Sequence, residues 1–179
     1  MDIRVYDLAA VLVAEFAAAL EHTRAGGPDI AIVHPGDTVP QYGSCGLAAV
    51  RVVTIAPTVT PDPRCAQEWQ VTYELTMDRC YQTPADNGMP AVPVLDSAVR
   101  DLLEDAGAMR KAALCAWPTG QRRTYGVWTP RGPSGGIHGG AMQVTALGLT
   151  LMCGCDDEKW GEGIDARFPP FDGDPRHPT

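Results

Sequence analysis

The chain has 179 residues, of which 45% are hydrophobic, and its formal net charge is −8. This length suits one domain with its own core. Because contacts to phosphate need clustered Lys and Arg, the acidic balance argues against binding of nucleic acid or an anionic membrane. No apolar run approaches the roughly 18–20 residues of a membrane span, and the segment before Leu8–Ala14 lacks the positive charge of a signal peptide.

Apolar periodicity predicts two helices. The first is Asp7–His22, which Gly26-Gly27-Pro28 ends, and the second is Val94–Trp117, which Pro118 ends. The predicted apolar face of the second helix comprises Leu95, Val99, Leu102, Leu103, Ala106, Met109, Ala113 and Leu114. The acids predicted to lie on its outer face as solvated charge are Asp101, Glu104 and Asp105.

Short apolar or alternating runs predict the strands. They are Ile30–His34, Ala48–Ala56, Trp69–Arg79, Tyr125–Thr129 and Ala141–Leu151. In Ala141–Leu151 the apolar residues change parity, which predicts either a β-bulge near Ala146–Gly148 or burial on both faces. The order of elements predicts an α+β domain over residues 1–155. Residues 156–179 hold seven acids, three bases and four prolines without periodicity, and predict an acidic flexible tail.

A glycine-rich segment joins the last two predicted strands. It contains Gly132, Pro133, Gly135, Gly136, Gly139 and Gly140. We interpret it as the over-long, mobile tip of a hairpin, and binding groups tend to lie on such loops. Deletion of residues 132–140 is therefore expected to leave folding nearly intact and to abolish contacts with partners.

The sequence context of these glycines supports neither a nucleophile elbow nor a phosphate- or dinucleotide-binding loop. Ser134 matches G-x-S-x-G, but a nucleophile elbow needs a helix after it, whereas a strand follows here. His177, which could complete a triad order with Asp156 or Asp157, lies in the predicted tail. The segment also lacks the Lys-Ser/Thr pair of a phosphate loop and the spacing of a dinucleotide-binding turn.

Six cysteines occur, at positions 45, 65, 80, 115, 153 and 155. Cys153-x-Cys155 is too short for the usual zinc spacing, which leaves a packed thiol pair or a disulfide. Cys45 would need His34 or His138 as a base to act as a nucleophile. Cys80 and Cys115 are predicted to be buried small apolar residues. No catalytic, cofactor-binding or metal-ligating residue is assigned, and a protein that is not an enzyme is expected.

Four stretches in this order resemble the tail terminator proteins of long-tailed, siphovirus-type phages of actinobacteria. They are the Ala-rich first helix with Gly26-Gly27-Pro28, the PGD at 35–37 with the AVRVV strand at 49–53, the alternating strand ending Asp78-Arg79-Cys80, and Ala106–Trp117 with the distal YGVWTPRGPSGGIHGG and its following strand. The similarity spans roughly residues 5–152. It implies a mostly antiparallel or mixed sheet with two helices packed on it.

The resemblance also implies a structural virion protein without cofactors. Such proteins form a homohexameric ring that caps the finished tail tube and joins it to the neck of the head. The implied partners are further copies of the chain, the major tail tube protein and the head–tail stopper or neck protein. Genomic DNA would pass through the lumen without specific binding during ejection, and an acidic lumen would repel it. The implied location is the tail–neck junction of the virion, after assembly in the host cytoplasm and without a membrane.

The residues predicted to form the interface are Tyr42, Pro61, Arg64, Trp128, Arg131, Gly132, Pro133, Gly135, Gly136, His138, Gly139 and Gly140. The loops Pro35–Gly46 and Pro57–Gln67 are expected to act as further contact arms. Two alternatives stay open. Another neck or tail-completion protein, such as a head–tail stopper, is disfavoured by the two strong helices, because stoppers are mostly β. A Ser- or Cys-dependent hydrolase is disfavoured by the missing context of Ser134 and Cys45.

Overall fold

The computed structural model describes residues 4–36, 45–58, 68–81, 89–134 and 136–150. Its elements in chain order are α1 (Arg4–Leu20), β1 (Ile30–His34), β2 (Gly46–Pro57), β3 (Glu68–Cys80), α2 (Val92–Cys115), β4 (Arg122–Ser134) and β5 (Ile137–Thr150). The predicted fold class is confirmed: the chain is α+β, with two helices on a five-stranded mixed sheet. Neither described helix is long and apolar enough to cross a membrane. The predicted tail and the Cys153-x-Cys155 pair lie outside the described residues.

The strand order in the sheet is β1-β2-β3-β5-β4. β1 pairs with β2 in parallel, and the other three pairings are antiparallel. The clean alternation of β3 agrees with its position in the middle of the sheet. Its odd-numbered residues from Val71 to Met77 are buried in the core, and its even-numbered residues lie on the other face.

Both helices pack on one face of the sheet. α1 lies against β1 and β2, and α2 lies against β5 and β4. The Tyr73 hydroxyl donates a hydrogen bond to the Val5 carbonyl at the start of α1 (3.0 Å), and its ring packs against Trp117 just after α2 (5.9 Å between centroids). The start of α1 and the end of α2 therefore both lie beside Tyr73, so the two helices run antiparallel. Burial raises the pKa of Tyr73, which keeps the phenol a neutral donor.

The predicted apolar face of α2 is wrong at three of its positions. The buried residues of the helix are Asp105, Ala108, Met109, Ala112 and Ala113, whereas Val99, Leu103 and Leu114 are exposed. The prediction of solvated acids is wrong for Asp105, which is only 2% exposed, whereas Glu104 is exposed. Apolar content alone could not choose between the two sides of α2, because both carry apolar residues.

Asp105 is buried because it pairs with Arg79 of β3. Arg79 Nε donates to Asp105 Oδ2 and Arg79 Nη2 donates to Oδ1, both at 2.7 Å, and the Arg79 side chain is 8% exposed. Nη2 also donates to the Gly26 carbonyl (2.9 Å) in the segment between α1 and β1. This bidentate ion pair fixes both the distance and the relative orientation of the two side chains. It therefore joins α2, β3 and the end of α1 in one polar contact inside the domain.

The predicted bulge in β5 is confirmed. Val71 of β3 pairs with Ala146 and Trp69 pairs with Leu149, so two residues of β5 stand opposite one of β3. The second of these two, Gly148, has a φ of 70°. This conformation favours glycine, and it explains how the apolar parity of β5 can change without loss of strand pairing.

The described cysteines differ from their predicted roles. Cys80 is not a buried thiol: it forms a disulfide with Cys45, with 4.6 Å between the Cα atoms. The two residues stand side by side where β2 begins and β3 ends, next to the Gly46–Arg79 pair. Cys115 is a free cysteine and is exposed. Sequence spacing could not give this pairing, because only the strand register brings positions 45 and 80 together.

We expect reduction of Cys45–Cys80 to lower the free energy of unfolding by about 2–4 kcal/mol, because the bond closes a loop of 35 residues in the unfolded chain. Urea denaturation with and without dithiothreitol measures the effect. Cys45→Ser should unfold at the same urea concentration in both conditions, near that of reduced wild type. Cys115→Ser is the matched control and should keep the full response to reductant. A wild-type midpoint that does not respond to reductant would contradict the prediction.

Candidate interaction surface

The β4–β5 hairpin is longer and tighter than predicted. Ser134 pairs with Ile137, so only positions 135 and 136 lie between the paired strands. Gly136 has a φ of 79°, as short hairpin turns require. The prediction of an over-long tip is therefore wrong. The frequent glycines predicted a loop, but glycine is also found in edge strands and where two backbones approach closely.

β4 forms one edge of the sheet and is irregular. The register shifts once within Tyr125–Trp128 and again within Arg131–Ser134, and each shift places one additional residue on β4. The strand also contains Pro130 and Pro133, which cannot donate to a further strand. Bulges and prolines hinder edge-to-edge pairing. Contacts made by this edge therefore depend on side chains such as Val127, which is 84% exposed.

Gly139 and Gly140 are interior residues of the sheet. A Cβ atom at Gly139 would overlap the carbonyl oxygen of Met77, and one at Gly140 would lie 2.5 Å from the indole Nε1 of Trp128. Trp128 is thus half-buried over Gly140, and its Nε1 has no hydrogen-bond partner among the described residues. The expectation that residues 132–140 could be deleted without harm to folding is wrong, since β5 begins within them and pairs with β3.

His138 is also buried, at 5% exposure, near the start of β5. Its ring packs edge-on against Tyr81, with 5.4 Å between centroids. Both residues line a cleft of about 370 Å³ between the end of β3 and the first turns of α2, which contributes Val94, Ser97 and Asp101. Burial lowers the pKa of His138, and the charge of Arg79 lowers it too. The charges of Asp101, Asp105 and Asp78 act in the opposite direction without restoring the ordinary value.

The lowered pKa of His138 predicts a loss of stability on acidification. The unfolded chain, with a His pKa of about 6.5, takes up the proton before the folded chain does. The contribution of His138 is therefore fully present above about pH 6.5 and is lost as the pH falls below it. Urea denaturation at about pH 8 and about pH 5.5 tests this. His138→Gln should flatten the dependence, and an equal slope in this variant would contradict the assignment.

The sheet face opposite the helices carries paired charges. Arg51 Nε donates to Glu74 Oε1 (2.7 Å), and Gln143 donates to Glu74 Oε2 (3.1 Å). Arg131 lies 3.3 Å from Asp78. Burial raises the pKa of Glu74, but the hydrogen bonds from Arg51 and Gln143 and the charges of Arg51 and Arg131 outweigh it, so the pKa lies below its ordinary value. A cleft of about 530 Å³ lies over this group, and β4 supplies one of its walls.

The remaining predicted interface residues separate into two groups. Gly132 and Pro133 are exposed at the end of β4, and Arg131 is exposed beside its Asp78 partner. Tyr42, Pro61, Arg64 and Gly135 lie outside the described residues, as do most positions of the two predicted contact arms. The hairpin thus brings together exposed Arg131, Gly132 and Pro133, but it places His138, Gly139 and Gly140 inside.

The residues of the hydrolase alternative are not assembled in the described parts of the chain. Ser134 is exposed at the end of edge strand β4 and makes no hydrogen bond to a described histidine. Cys45 is half of a disulfide, which rules out a thiolate nucleophile in this state. Within the described ranges, no three or more His, Cys, Asp or Glu side chains are grouped so that they could hold a metal ion.

Comparisons with known proteins identify no family. No family model matches the chain, and no curated protein is similar enough to be reported as a relative. Function therefore has to be argued from the fold, the surface and the resemblance of the four sequence stretches.

Proposed function

We propose that the protein is a phage tail terminator, a structural virion protein that caps the completed tail tube and joins it to the neck. The observation that carries the proposal is the architecture. Two helices pack on one face of a mixed sheet, which is the arrangement that the resemblance implies, and the opposite face carries the Arg51–Glu74 ion pair.

The surface of the domain supports a role in protein contacts. The sheet face opposite the helices holds Arg51, Glu74 and Gln143 in one hydrogen-bonded group, and Arg131 with Asp78 in a second. Fixed, paired charges of this kind give direction and specificity to a protein contact. The exposed apolar residue Val127 of β4 adjoins this face. The acidic net charge suits a ring through which DNA slides without being held.

The test is removal of the chain from a phage that encodes it. We expect abnormally long tails without heads, seen by negative-stain electron microscopy, because nothing would stop growth of the tube or offer the neck a docking surface. Supply of the wild-type chain in trans should restore tail length and infectivity. Tails of normal length with heads attached would overturn the proposal. Tails of normal length that fail to join filled heads would favour the head–tail stopper instead.

A further inference from the structure

α2 has apolar side chains on two opposite faces. One face packs on the sheet through Ala108, Met109, Ala112 and Ala113. The other carries Val92, Val99, Leu103 and Leu114, which are 76%, 53%, 61% and 45% exposed. They are spaced by seven, four and eleven residues, with Arg110 between the last two, and this spacing places them along one line of the helix. We call this set of five residues the outer stripe of α2.

The outer stripe places four exposed aliphatic side chains along one line of α2. Single exposed aliphatic residues are normal on a protein surface, but a line of them marks a site of protein contact. At 1.5 Å per residue, Val92 and Leu114 lie about 33 Å apart. Between Val92 and Glu104 no residue of α2 is fully buried, and packing within the domain does not account for the exposed side chains Val99 and Leu103.

Charge identifies the partner surface. After Arg4, the only ionisable side chains of α1 other than Tyr6 are Asp7 and Glu15, and both are exposed on the same side of the helix as exposed Val11. We call Asp7, Val11 and Glu15 the outer face of α1. The last third of α2 carries Arg110 and Lys111 and no acid. The outer stripe of α2 thus has a basic end, and the outer face of α1 has two acids around an exposed Val. The two surfaces are therefore complementary in charge.

The two surfaces belong to the two neighbouring helices that cover one face of the sheet, and each lies on the exposed side of its helix. α1 covers β1 and β2, whereas α2 covers β5 and β4, and β1 and β4 are the two edges of the sheet. A contact between unlike surfaces of two copies is head-to-tail, and its repetition closes a ring when the rotation between copies permits. We propose that the outer stripe of α2 docks on the outer face of α1 of a second copy of this chain. This inference specifies the self-contact of the proposed tail terminator and rests on that function.

Two single variants test the docking. Leu103→Asp disrupts the outer stripe of α2, and Val11→Asp disrupts the outer face of α1; both positions are exposed, so the fold should be retained. We expect each variant to weaken self-association about 100-fold, as hot-spot substitutions do, and to be a monomer by light scattering. Ile55→Asp, on β2 at 47% exposure, is the matched control and should assemble as wild type. Far-UV circular dichroism confirms folding.

A mixture of the two variants gives the decisive measurement. Each retains the surface that the other lacks, so a head-to-tail contact predicts a 1:1 heterodimer of twice the 19.1 kDa chain mass and no larger species. Unchanged assembly of either variant alone would overturn the docking, as would a wild-type chain that stays monomeric at every concentration, or a mixture that stays monomeric. These results leave the function itself to the tail-length test, which can succeed when the docking fails.

A charge exchange gives an independent readout. Arg110→Glu and Glu15→Arg should each weaken assembly, because each places like charges across the contact. The double variant restores opposite charges in every interface of a ring and should recover most of the lost affinity. A double variant no better than the worse single variant would show that these two surfaces do not meet.

Discussion

Substitution of Asp105 by Asn is expected to lower the free energy of unfolding by about 3–5 kcal/mol, the largest effect of any conservative change in the helices. The variant keeps the shape of the side chain but leaves the Arg79 guanidinium uncompensated in the interior. Loss of one partner of a buried pair is costly because the remaining charge stays out of water. Urea denaturation followed by circular dichroism measures the change.

The matched control for Asp105 lies on the same helix. Asp96 forms an exposed pair with Arg100, four residues away, and both side chains are more than half exposed. Asp96→Asn should cost no more than about 0.5 kcal/mol, since solvent screens such a pair. Arg79→Met combined with Asp105→Leu should lose less than the sum of the two single changes, because the two side chains interact. Equal effects of Asp105→Asn and Asp96→Asn would contradict the structural role of the buried pair.

Substitution of Gly139 by Ala is expected to cost at least the usual 1–3 kcal/mol or so of an over-packed core, and to prevent folding if β5 cannot move. The reason is geometric: the new methyl group would overlap the Met77 carbonyl, and backbone cannot rotate away as the end of a side chain can. Thermal unfolding of the purified variant, or its recovery from the soluble fraction, reports the effect.

Two other glycines of the hairpin make the Gly139 prediction comparative. Gly140→Ala meets the Trp128 side chain, which can shift, so its cost should be smaller and accompanied by a change in tryptophan fluorescence. Gly132→Ala has nothing within 4 Å and should be neutral. The expected order of destabilisation is therefore Gly139, then Gly140, then Gly132. A Gly139 variant as stable as the Gly132 variant would refute the interior position of β5.

Periodicity located every described helix and strand, because each buries one face and the spacing of apolar residues records it. It also located the Gly148 bulge, since a bulge leaves a parity change in the sequence. Periodicity missed the extent of β4 and β5, because Gly and Pro have low strand propensity wherever they occur. The positions of these residues in the sheet outweigh their low strand propensity. β4 is an edge strand, and Gly139 lies where the backbone of β5 comes close to that of β3.

Local sequence patterns could not show which residues pair with each other inside the domain. Among the neighbouring acids of α2, the angle around the helix sets Asp105 apart from Asp101 and Glu104. Nothing in the sequence around Arg79 indicates that its side chain is buried. One signal was present: Asp105 lies three and four residues before Ala108 and Met109, which share its face. The Cys45–Cys80 bond likewise depends on register between β2 and β3. The outer stripe of α2 was visible as apolar residues but was assigned to the core.

The central position of β3 has a consequence for the order of folding. Its two neighbours differ greatly in sequence distance: β2 precedes it closely, whereas contacts with β5 such as Thr72 to Thr145 join residues 73 positions apart. Closing so long a loop is slow, and domains rich in such contacts fold in milliseconds to seconds. Until β5 pairs with β3, that edge of β3 presents unpaired backbone N–H and C=O groups, and the nascent chain is open to aggregation there. Completion of the domain therefore depends on the hairpin at its C-terminal side, where β5 covers that edge.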